Sequence, residues 1–188
     1  MMSSGAHELR RFTADEFLQM IAAGIFADDR VELVDGEILT ATPQGPEHIS
    51  RKDEHRERLR EAYGAANVHL RDQGPLRCGD HALPEPDLAV VKGKPQDYRH
   101  EHPSGSDTVL VVEEAKSSQV RDRRKAADYA RGSVAVYWLL DLEAKTLEIY
   151  TRPDRERARY RSVVTLGEGD RVEIPDTDVT WDVASLFA

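Results

Sequence analysis

Apolar residues recur along the early part of the chain at two spacings, one typical of a helix and one typical of a strand. Thr13 and Glu16 are spaced as a capping box, and an apolar face with helical periodicity follows them. The sequence therefore predicts a first helix that begins at Thr13 and ends near residue 23. Further on, apolar and polar residues alternate on both sides of Asp35-Gly36, a pair that favours a tight turn. This pattern predicts a β-hairpin over residues 30–42.

The middle of the chain alternates between charged and apolar segments. A charged stretch at residues 48–62, with loosely periodic apolar residues, predicts a second helix after a loop at residues 43–46. Residues 92–107 are rich in proline, glycine and charge, and they predict a loop long enough for a functional or mobile role. The apolar runs between these segments predict strands at residues 68–70, around residues 76–83 and at residues 87–91.

The second half of the chain contains a strand–helix–strand pattern over residues 108–115, 118–132 and 134–141. Such a unit implies two parallel strands joined by a crossover helix. The remaining patterns predict antiparallel strands at residues 147–150, 160–166 and 171–174, and one helical turn at residues 182–187. Taken together, these elements predict an α/β fold with a mixed sheet. We expect one domain over residues 12–188, preceded by a flexible N-terminus at residues 1–11.

Composition narrows the classes of function. The chain of 188 residues has 26 basic and 35 acidic residues and a net charge of −9, which argues against a protein that coats nucleic acid non-specifically through a basic face. Cys78 is the single cysteine, so the sequence predicts no intrachain disulfide, no zinc ligand set and a reducing cytoplasmic location. We expect no membrane partner, because no apolar run reaches the ~18 residues of a membrane span.

Charged residues at the end of a buried strand provide the candidate chemistry. The apolar run before Glu113 and Glu114 ends in this carboxylate pair and in Lys116, and Asp87 begins a second apolar strand. Burying a charge is costly unless the charge is paired or binds a metal. Acidic groups from two neighbouring strands, together with a lysine, therefore predict a Mg²⁺ site for phosphodiester hydrolysis.

Several segments together carry a resemblance to a known family. They are the opening at residues 12–17, the hairpin at residues 32–38, Pro86-Asp87, Val111-Val112-Glu113, and the run from Lys125 through Tyr129 to Asp141. In order and spacing the chain resembles the Uma-two-type restriction endonucleases, a branch of the PD-(D/E)XK nuclease superfamily. The resemblance implies a restriction endonuclease-like mixed sheet flanked by helices, with antiparallel hairpins added, and a metal-dependent nuclease site.

The resemblance implies that Asp87 and Glu113 hold the metal, Mg²⁺ or Mn²⁺. In this family serine is usual where Lys116 stands, and the departure creates a literal Glu-x-Lys motif from Glu114 to Lys116. Side chains two apart on a strand share a face, so Glu114 and Lys116 point one way and Glu113 the other. With Glu113 at the site, the resemblance implies Lys125 as the lysine. Both registers stay open. The candidate catalytic residues are therefore Asp87, Glu113, Glu114, Lys116 and Lys125.

Other residues are expected to have structural roles or leave two interpretations open. Glu32 is expected to form a salt bridge within the hairpin, although the resemblance hints at a further site carboxylate. The basic run at residues 121–125 either contacts DNA phosphates or lies on a solvated helix face. No general-base role is expected for His48, His55 or His69, because their spacing is not that of ligands.

The sequence therefore predicts a metal-dependent DNA endonuclease. The alternative is a catalytically degenerate nuclease-fold protein that acts as a nucleic-acid-binding or assembly module, which the net negative charge and the departure at Lys116 favour. A homodimer is compatible with either function.

Overall fold

The computed structural model describes residues 9–27, 29–40, 44–116 and 118–188. Most of the N-terminus predicted as flexible, residues 1–8, lies outside the described residues. The same holds for residues 41–43, at the end of the predicted hairpin and the start of the following loop.

The first helix and the hairpin that follows it form a small unit with its own apolar core. Helix α1 (Ala14–Ala22) begins after Thr13, whose side chain accepts a hydrogen bond from the Glu16 N–H, while the Glu16 carboxylate accepts one from the Thr13 N–H. This is the predicted capping box. Strands β1 (Val31–Val34) and β2 (Glu37–Thr40) pair antiparallel around the Asp35-Gly36 turn, so the predicted hairpin is also confirmed.

A six-stranded sheet forms the centre of the fold. Its strands follow one another in chain order, and all neighbours are antiparallel except β5 and β6, which are parallel. The predicted α/β class with a mixed sheet is therefore confirmed. The strands are β3 (Val68–Asp72), β4 (Leu88–Lys92), β5 (Thr108–Ala115), β6 (Val136–Asp141), β7 (Thr146–Asp154) and β8 (Arg159–Leu166).

Helix α2 (Pro46–Tyr63) covers one face of the sheet, where Leu59 packs in a cluster with Leu110 and Val112 of β5. A C-terminal hairpin joins the same cluster, followed by the predicted helical turn, which is a 3₁₀ turn at Val183–Leu186. The hairpin strands are β9 (Arg171–Glu173) and β10 (Thr180–Asp182).

Helix α3 (Gln119–Arg131) lies between β5 and β6 in the chain and covers the opposite face, where Tyr129 packs near Val111 and Tyr137. Because successive side chains of a strand alternate between faces, Glu113 shares the α3 face with Val111. Glu114 accordingly lies on the α2 face.

The strand predicted around residues 76–83 is wrong. This segment forms isolated bridges, from Arg77 to Ser104 and from Leu83 to Leu33, in place of a continuous ladder. The apolar pattern that suggested a strand reflects burial, since Leu76 and Leu83 are fully buried. Prolines at positions 75, 84 and 86 lack the N–H that a ladder needs, which explains why the buried segment stays irregular.

The loop predicted over residues 92–107 contains two short 3₁₀ helices, Pro95–Tyr98 and Gly105–Asp107. Within the described ranges, no helix is long and apolar enough to cross a membrane.

Candidate active site

The sheet brings Asp87 and Glu113 side by side, although they are 26 positions apart in the chain. Leu88 of β4 pairs with Val112 of β5 in an antiparallel register, so Asp87 lies across from Glu113. Both carboxyl groups are buried, with 7% and 4% of the residue exposed. Two buried carboxyl groups in adjacent strands need partners that offset their charge.

Asp87 is held by donors from three parts of the chain. Its Oδ2 accepts a hydrogen bond of 2.9 Å from the backbone N–H of Glu114, and its Oδ1 accepts one of 2.7 Å from Nε2 of Gln44. Nε2 of His48 lies 3.4 Å from the same Oδ1. Burial opposes ionisation, but these contacts outweigh it and lower the pKa of Asp87. Asp87 is therefore a carboxylate at neutral pH.

Glu113 contacts a lysine and a tyrosine of α3. Nζ of Lys125 lies 2.9 Å from Glu113 Oε1 and 2.8 Å from Glu32 Oε2, so it bridges β5 and the N-terminal hairpin. The hydroxyl of Tyr129 donates a hydrogen bond of 2.6 Å to the same Oε1. Both contacts fall on Oε1, which leaves Oε2 of Glu113 without either of these partners.

Carboxyl groups outnumber the ammonium group in this cluster. Burial raises the pKa of Glu113 to about 8; Lys125 opposes the rise, whereas Asp122, Asp87 and Glu32 add to it. Burial works against the charge of Lys125, but Glu113, Glu32 and Asp122 outweigh it and raise the pKa of the ammonium. Lys125 therefore stays protonated, and the cluster lacks positive charge for its full set of carboxylates.

Glu114 and Lys116 do not form a pair, although alternation along a strand would direct them to one side. The Glu114 side chain is buried beneath α2, where Oε1 lies 2.7 Å from Nδ1 of His55. Lys116 follows the last residue of β5 and is 72% exposed, with Nζ 3.1 Å from Oε2 of Glu47. Of the two registers that the sequence left open, the geometry brings Glu113 together with Lys125.

All five predicted candidates line one cavity of about 570 Å³. The cavity lies where the N-terminal end of α2, the end of β5 and the start of α3 meet. No residue of the loop at 92–107 is among its described lining residues, so this loop does not cover the site. The acidic lining residues are Glu32, Glu47, Glu85, Asp87, Glu113, Glu114 and Asp122, and the basic ones are Arg30, Arg51, Lys116, Arg121 and Lys125.

Buried side-chain atoms without a partner are concentrated at this cavity. In the part of the chain that the structure describes, four buried side-chain nitrogen or oxygen atoms have no hydrogen-bond partner, and all four belong to residues that line it. They are Nε of Arg51, Nε of Arg121, Oε2 of Glu114 and Oδ1 of Asp122. Nε of Arg121 and Oδ1 of Asp122 form an ion pair at 3.6 Å, which is too long for a hydrogen bond, so the cavity presents two donors and two acceptors to water or a bound ligand.

The basic run at residues 121–125 divides between the cavity and the surface. Arg121 and Lys125 line the cavity. Arg123 donates a hydrogen bond of 3.0 Å to Glu148, and Arg124 donates one of 3.2 Å to Glu37. The run is therefore neither a continuous phosphate-binding stripe nor an entirely solvated face.

Sequence reasoning missed Gln44, His48 and His55 and assigned Glu32 to a hairpin salt bridge. Each of them contacts a carboxylate or lysine of the site, yet Glu32 lies in the hairpin, Gln44 just before α2, and His48 and His55 on α2. No periodicity or spacing in the sequence signals these contacts, which join positions from 39 apart (His48 and Asp87) to 93 apart (Glu32 and Lys125). The one usable signal was Glu32 itself, an acidic residue at a fully buried strand.

The donor set fits a hard divalent cation. In the described ranges, no three His, Cys, Asp or Glu side chains stand where they could hold a metal ion together. Mg²⁺ is commonly held by one or two carboxylates, with water and substrate phosphate completing its oxygen shell. Oε2 of Glu114 and Oδ1 of Asp122 are two further carboxylate oxygens at the cavity without a hydrogen bond, the second of them 3.6 Å from Nε of Arg121. Asp87 and Glu113 therefore suit Mg²⁺ or Mn²⁺ chemically.

The fold is shared with a solved structure. That structure is described as "Crystal structure of a putative nuclease belonging to DUF820" from Anabaena variabilis ATCC 29413. The likeness covers 94% of this chain and 97% of that chain, with a TM-score of 0.71 and 17% sequence identity. At this identity the likeness establishes the fold alone. No curated protein matches the chain.

A family model also matches the chain. Residues 14–184 match the Uma2 family, whose description is "Putative restriction endonuclease". The chain belongs to this family, so the resemblance seen in the sequence is confirmed over nearly the whole chain.

Proposed function

We propose that the protein is a Mg²⁺- or Mn²⁺-dependent endonuclease that hydrolyses phosphodiester bonds of DNA at the cavity of Asp87 and Glu113. The observation that carries this proposal is the set of four buried, unpartnered atoms at the cavity. The two arginine donors call for an anion with several oxygens, and the two carboxylate oxygens call for a cation. A metal-bound phosphodiester has both.

The charges that line the cavity support a need for the metal. Seven acidic and five basic side chains line it beside His48, so the cavity has no excess of positive charge for an anion even with Glu113 protonated. A phosphodiester, which is itself an anion, would gain the missing positive charge from a bound divalent cation. When bound, such a cation would lower the pKa of a coordinated water and stabilise the negative charge that develops on the phosphoryl group.

Each candidate residue has a distinct role in the proposed reaction. Asp87 and Glu113 would hold the metal, Asp87 because it stays ionised despite burial. Lys125 would keep a positive charge beside Glu113, since its raised pKa makes it a poor base. Glu114 would present its free Oε2 to the cavity, and Lys116 would act at the cavity mouth.

The overall reaction is the addition of water across a phosphorus–oxygen bond. The water oxygen bonds to phosphorus, one ester oxygen leaves, and the proton released by the water ends on the solvent or on the leaving oxygen. Charge rises on the phosphoryl oxygens during this step, where preorganised positive groups have their largest effect.

A catalytically degenerate nuclease-fold protein that only binds nucleic acid is the second candidate. One observation favours it: three protein groups already contact the Asp87 carboxylate, and Lys125 already contacts Glu113. Such a protein would bind DNA at the same cavity without cutting it.

Cleavage of supercoiled plasmid separates the two candidates. The wild-type protein is incubated with Mg²⁺ or Mn²⁺, beside EDTA and beside Asp87→Asn and Glu113→Gln, each verified as folded by circular dichroism. We expect metal-dependent nicking by the wild type and its loss in both variants. Glu168→Gln, which removes an exposed carboxylate outside the cavity, should cut like the wild type.

Nicking at the wild-type rate by Asp87→Asn would exclude the proposed site. No nicking by a well-folded wild type with either metal would favour the binding module. The cytoplasmic location and the homodimer considered from the sequence stay predictions.

A further inference from the structure

Arg51 and Arg121 differ from the other basic residues of the cavity because each keeps a buried donor without an acceptor. Nε of both residues is buried and unpartnered within the described ranges. Arg51 lies on α2 with 14% of its side chain exposed, and Arg121 lies on α3 with 34% exposed. Nε of Arg121 is 3.6 Å from Oδ1 of Asp122, which is too far for a hydrogen bond. Two unmet guanidinium donors from different helices therefore line one cavity.

Glu47 bridges two cations at the mouth of the same cavity. Its Oε1 accepts a hydrogen bond of 3.0 Å from Arg51, and its Oε2 accepts one of 3.1 Å from Lys116. These hydrogen bonds lower the pKa of Glu47, so it is ionised. Two oxygens of one anionic group thus meet one cation each, which is the arrangement that two non-bridging oxygens of a phosphate would offer.

We propose that Arg51, Lys116 and Arg121 are the phosphate contacts of the DNA strand at this cavity, and that Glu47 takes the place of a phosphate in the free protein. The inference rests on the proposed nuclease function, because it assigns contacts to the same substrate. It gives Lys116 a role in binding, at the mouth, and not in activating the attacking water.

Displacement of Glu47 by a phosphate is energetically reasonable. Glu47 and Lys116 are 66% and 72% exposed, and exposed ion pairs contribute little to stability. A guanidinium matches phosphate oxygens through two parallel hydrogen bonds. The incoming phosphate would also supply the acceptor that Nε of Arg51 lacks, which Glu47 does not.

Binding of a short fluorescein-labelled DNA duplex, measured by anisotropy, tests the proposal. Ca²⁺ replaces Mg²⁺, and gels run in parallel verify that the duplex stays intact. We expect Arg51→Gln and Arg121→Gln to weaken binding roughly tenfold each, as charge-assisted hydrogen bonds of ordinary strength would. Each loss should also reduce the slope of log K against log salt by about 0.9. Arg60→Gln is the control, because Arg60 is 71% exposed and outside the cavity.

Glu47→Gln gives the opposite expectation. Removing the internal competitor should tighten binding several-fold, whereas Glu168→Gln, which removes an equal charge elsewhere, should leave it unchanged. Arg51→Lys keeps the charge, loses Nε and is one atom shorter, so it should bind more weakly than the wild type. This conservative variant also covers the case in which Arg51→Gln fails to fold.

Wild-type affinity in Arg51→Lys and Arg121→Gln, or no tightening in Glu47→Gln, would overturn the proposal. A folded wild type that binds no duplex would overturn it as well. These results are independent of plasmid cleavage: an enzyme that cuts through Asp87 with unchanged binding in the arginine variants keeps the nuclease function and loses only the phosphate contacts. If the protein bound an RNA strand more tightly than the DNA duplex, with the same dependence on Arg51, the proposed phosphate contacts would stand and the substrate would be RNA.

Discussion

At the scale of single residues, the charge state of Glu113 decides how the site behaves without its metal. The carboxyl group is buried, lies opposite Asp87 and shares Lys125 with Glu32. One ammonium cannot offset all of these carboxylates, so burial raises the pKa of Glu113 to about 8. In the metal-free protein Glu113 is therefore largely protonated near neutral pH, and a bound cation would displace this proton.

Glu113→Gln should become more stable relative to the wild type as pH rises. The folded protein binds the Glu113 proton more tightly than the unfolded chain, so the stabilisation it gives is complete below about 4.5 and is lost as pH rises toward about 8. Glutamine has no proton to lose. We expect the difference in free energy of unfolding to shift in favour of the variant by roughly 2–4 kcal/mol across this range. Urea unfolding in EDTA at several pH values measures it.

The exposed Glu168→Gln serves as the reference, with a difference from wild type that stays flat over the same pH range. A flat or falling difference for Glu113→Gln would mean that Glu113 is ionised in the folded protein and that Lys125 alone satisfies it.

At the scale of elements, α1 and the β1–β2 hairpin form the unit that delivers Glu32 to Lys125. Phe17 of α1 packs in one cluster with Leu33 of the hairpin, so the helix supports the strand that carries Glu32. Helix α1 in turn begins with the capping box at Thr13.

Thr13→Ala should lower the free energy of unfolding by about 1 kcal/mol. The change leaves the backbone N–H of Glu16 without the side-chain acceptor that caps the helix. Thr13→Ser keeps that acceptor and should lie close to the wild type, which urea unfolding of the three proteins would establish. Equal losses in Thr13→Ala and Thr13→Ser would show that the methyl group of Thr13, and not the cap, carries the stability.

Elements that depend on local chemistry could be predicted from the sequence. The capping box and the Asp-Gly turn each involve residues a few positions apart, and both are present. The segment around residues 76–83 could not be predicted in this way. Its apolar residues are buried by distant partners such as Leu33, and burial alone does not make a strand.

The candidate site could be predicted only in part, because contacts between residues distant in the chain leave no local pattern in the sequence. Asp87 and Glu113 could be predicted as site carboxylates because Asp87 begins one apolar run and Glu113 follows another. The contacts of His48 with Asp87 and of Glu47 with Lys116 join α2 to the sheet across 39 and 69 positions. These contacts depend on how α2 packs against the sheet. The weak apolar pattern of this charged helix does not specify that packing.

At the scale of the whole molecule, the net charge of −9 leaves a DNA substrate dependent on contacts at the cavity itself. Five basic side chains line the cavity, although acidic ones outnumber them there. Binding of nucleic acid should therefore depend on the metal and on a few close contacts, and not on a general electrostatic attraction.

Added Mg²⁺ or Mn²⁺ should raise the melting temperature of the wild type, since the proposed ligands come together only in the folded chain. At a metal concentration of ~100 times Kd, the gain corresponds to a shift of roughly 5–10 °C for a protein of this size. Asp87→Asn removes one ligand charge and should show little shift, whereas Glu168→Gln should respond like the wild type. Differential scanning calorimetry at constant ionic strength, with EDTA as the metal-free reference, measures these shifts. An equal shift in Asp87→Asn would mean that the cations stabilise the acidic protein by screening its surface and that the carboxylates of the cavity hold no specific metal.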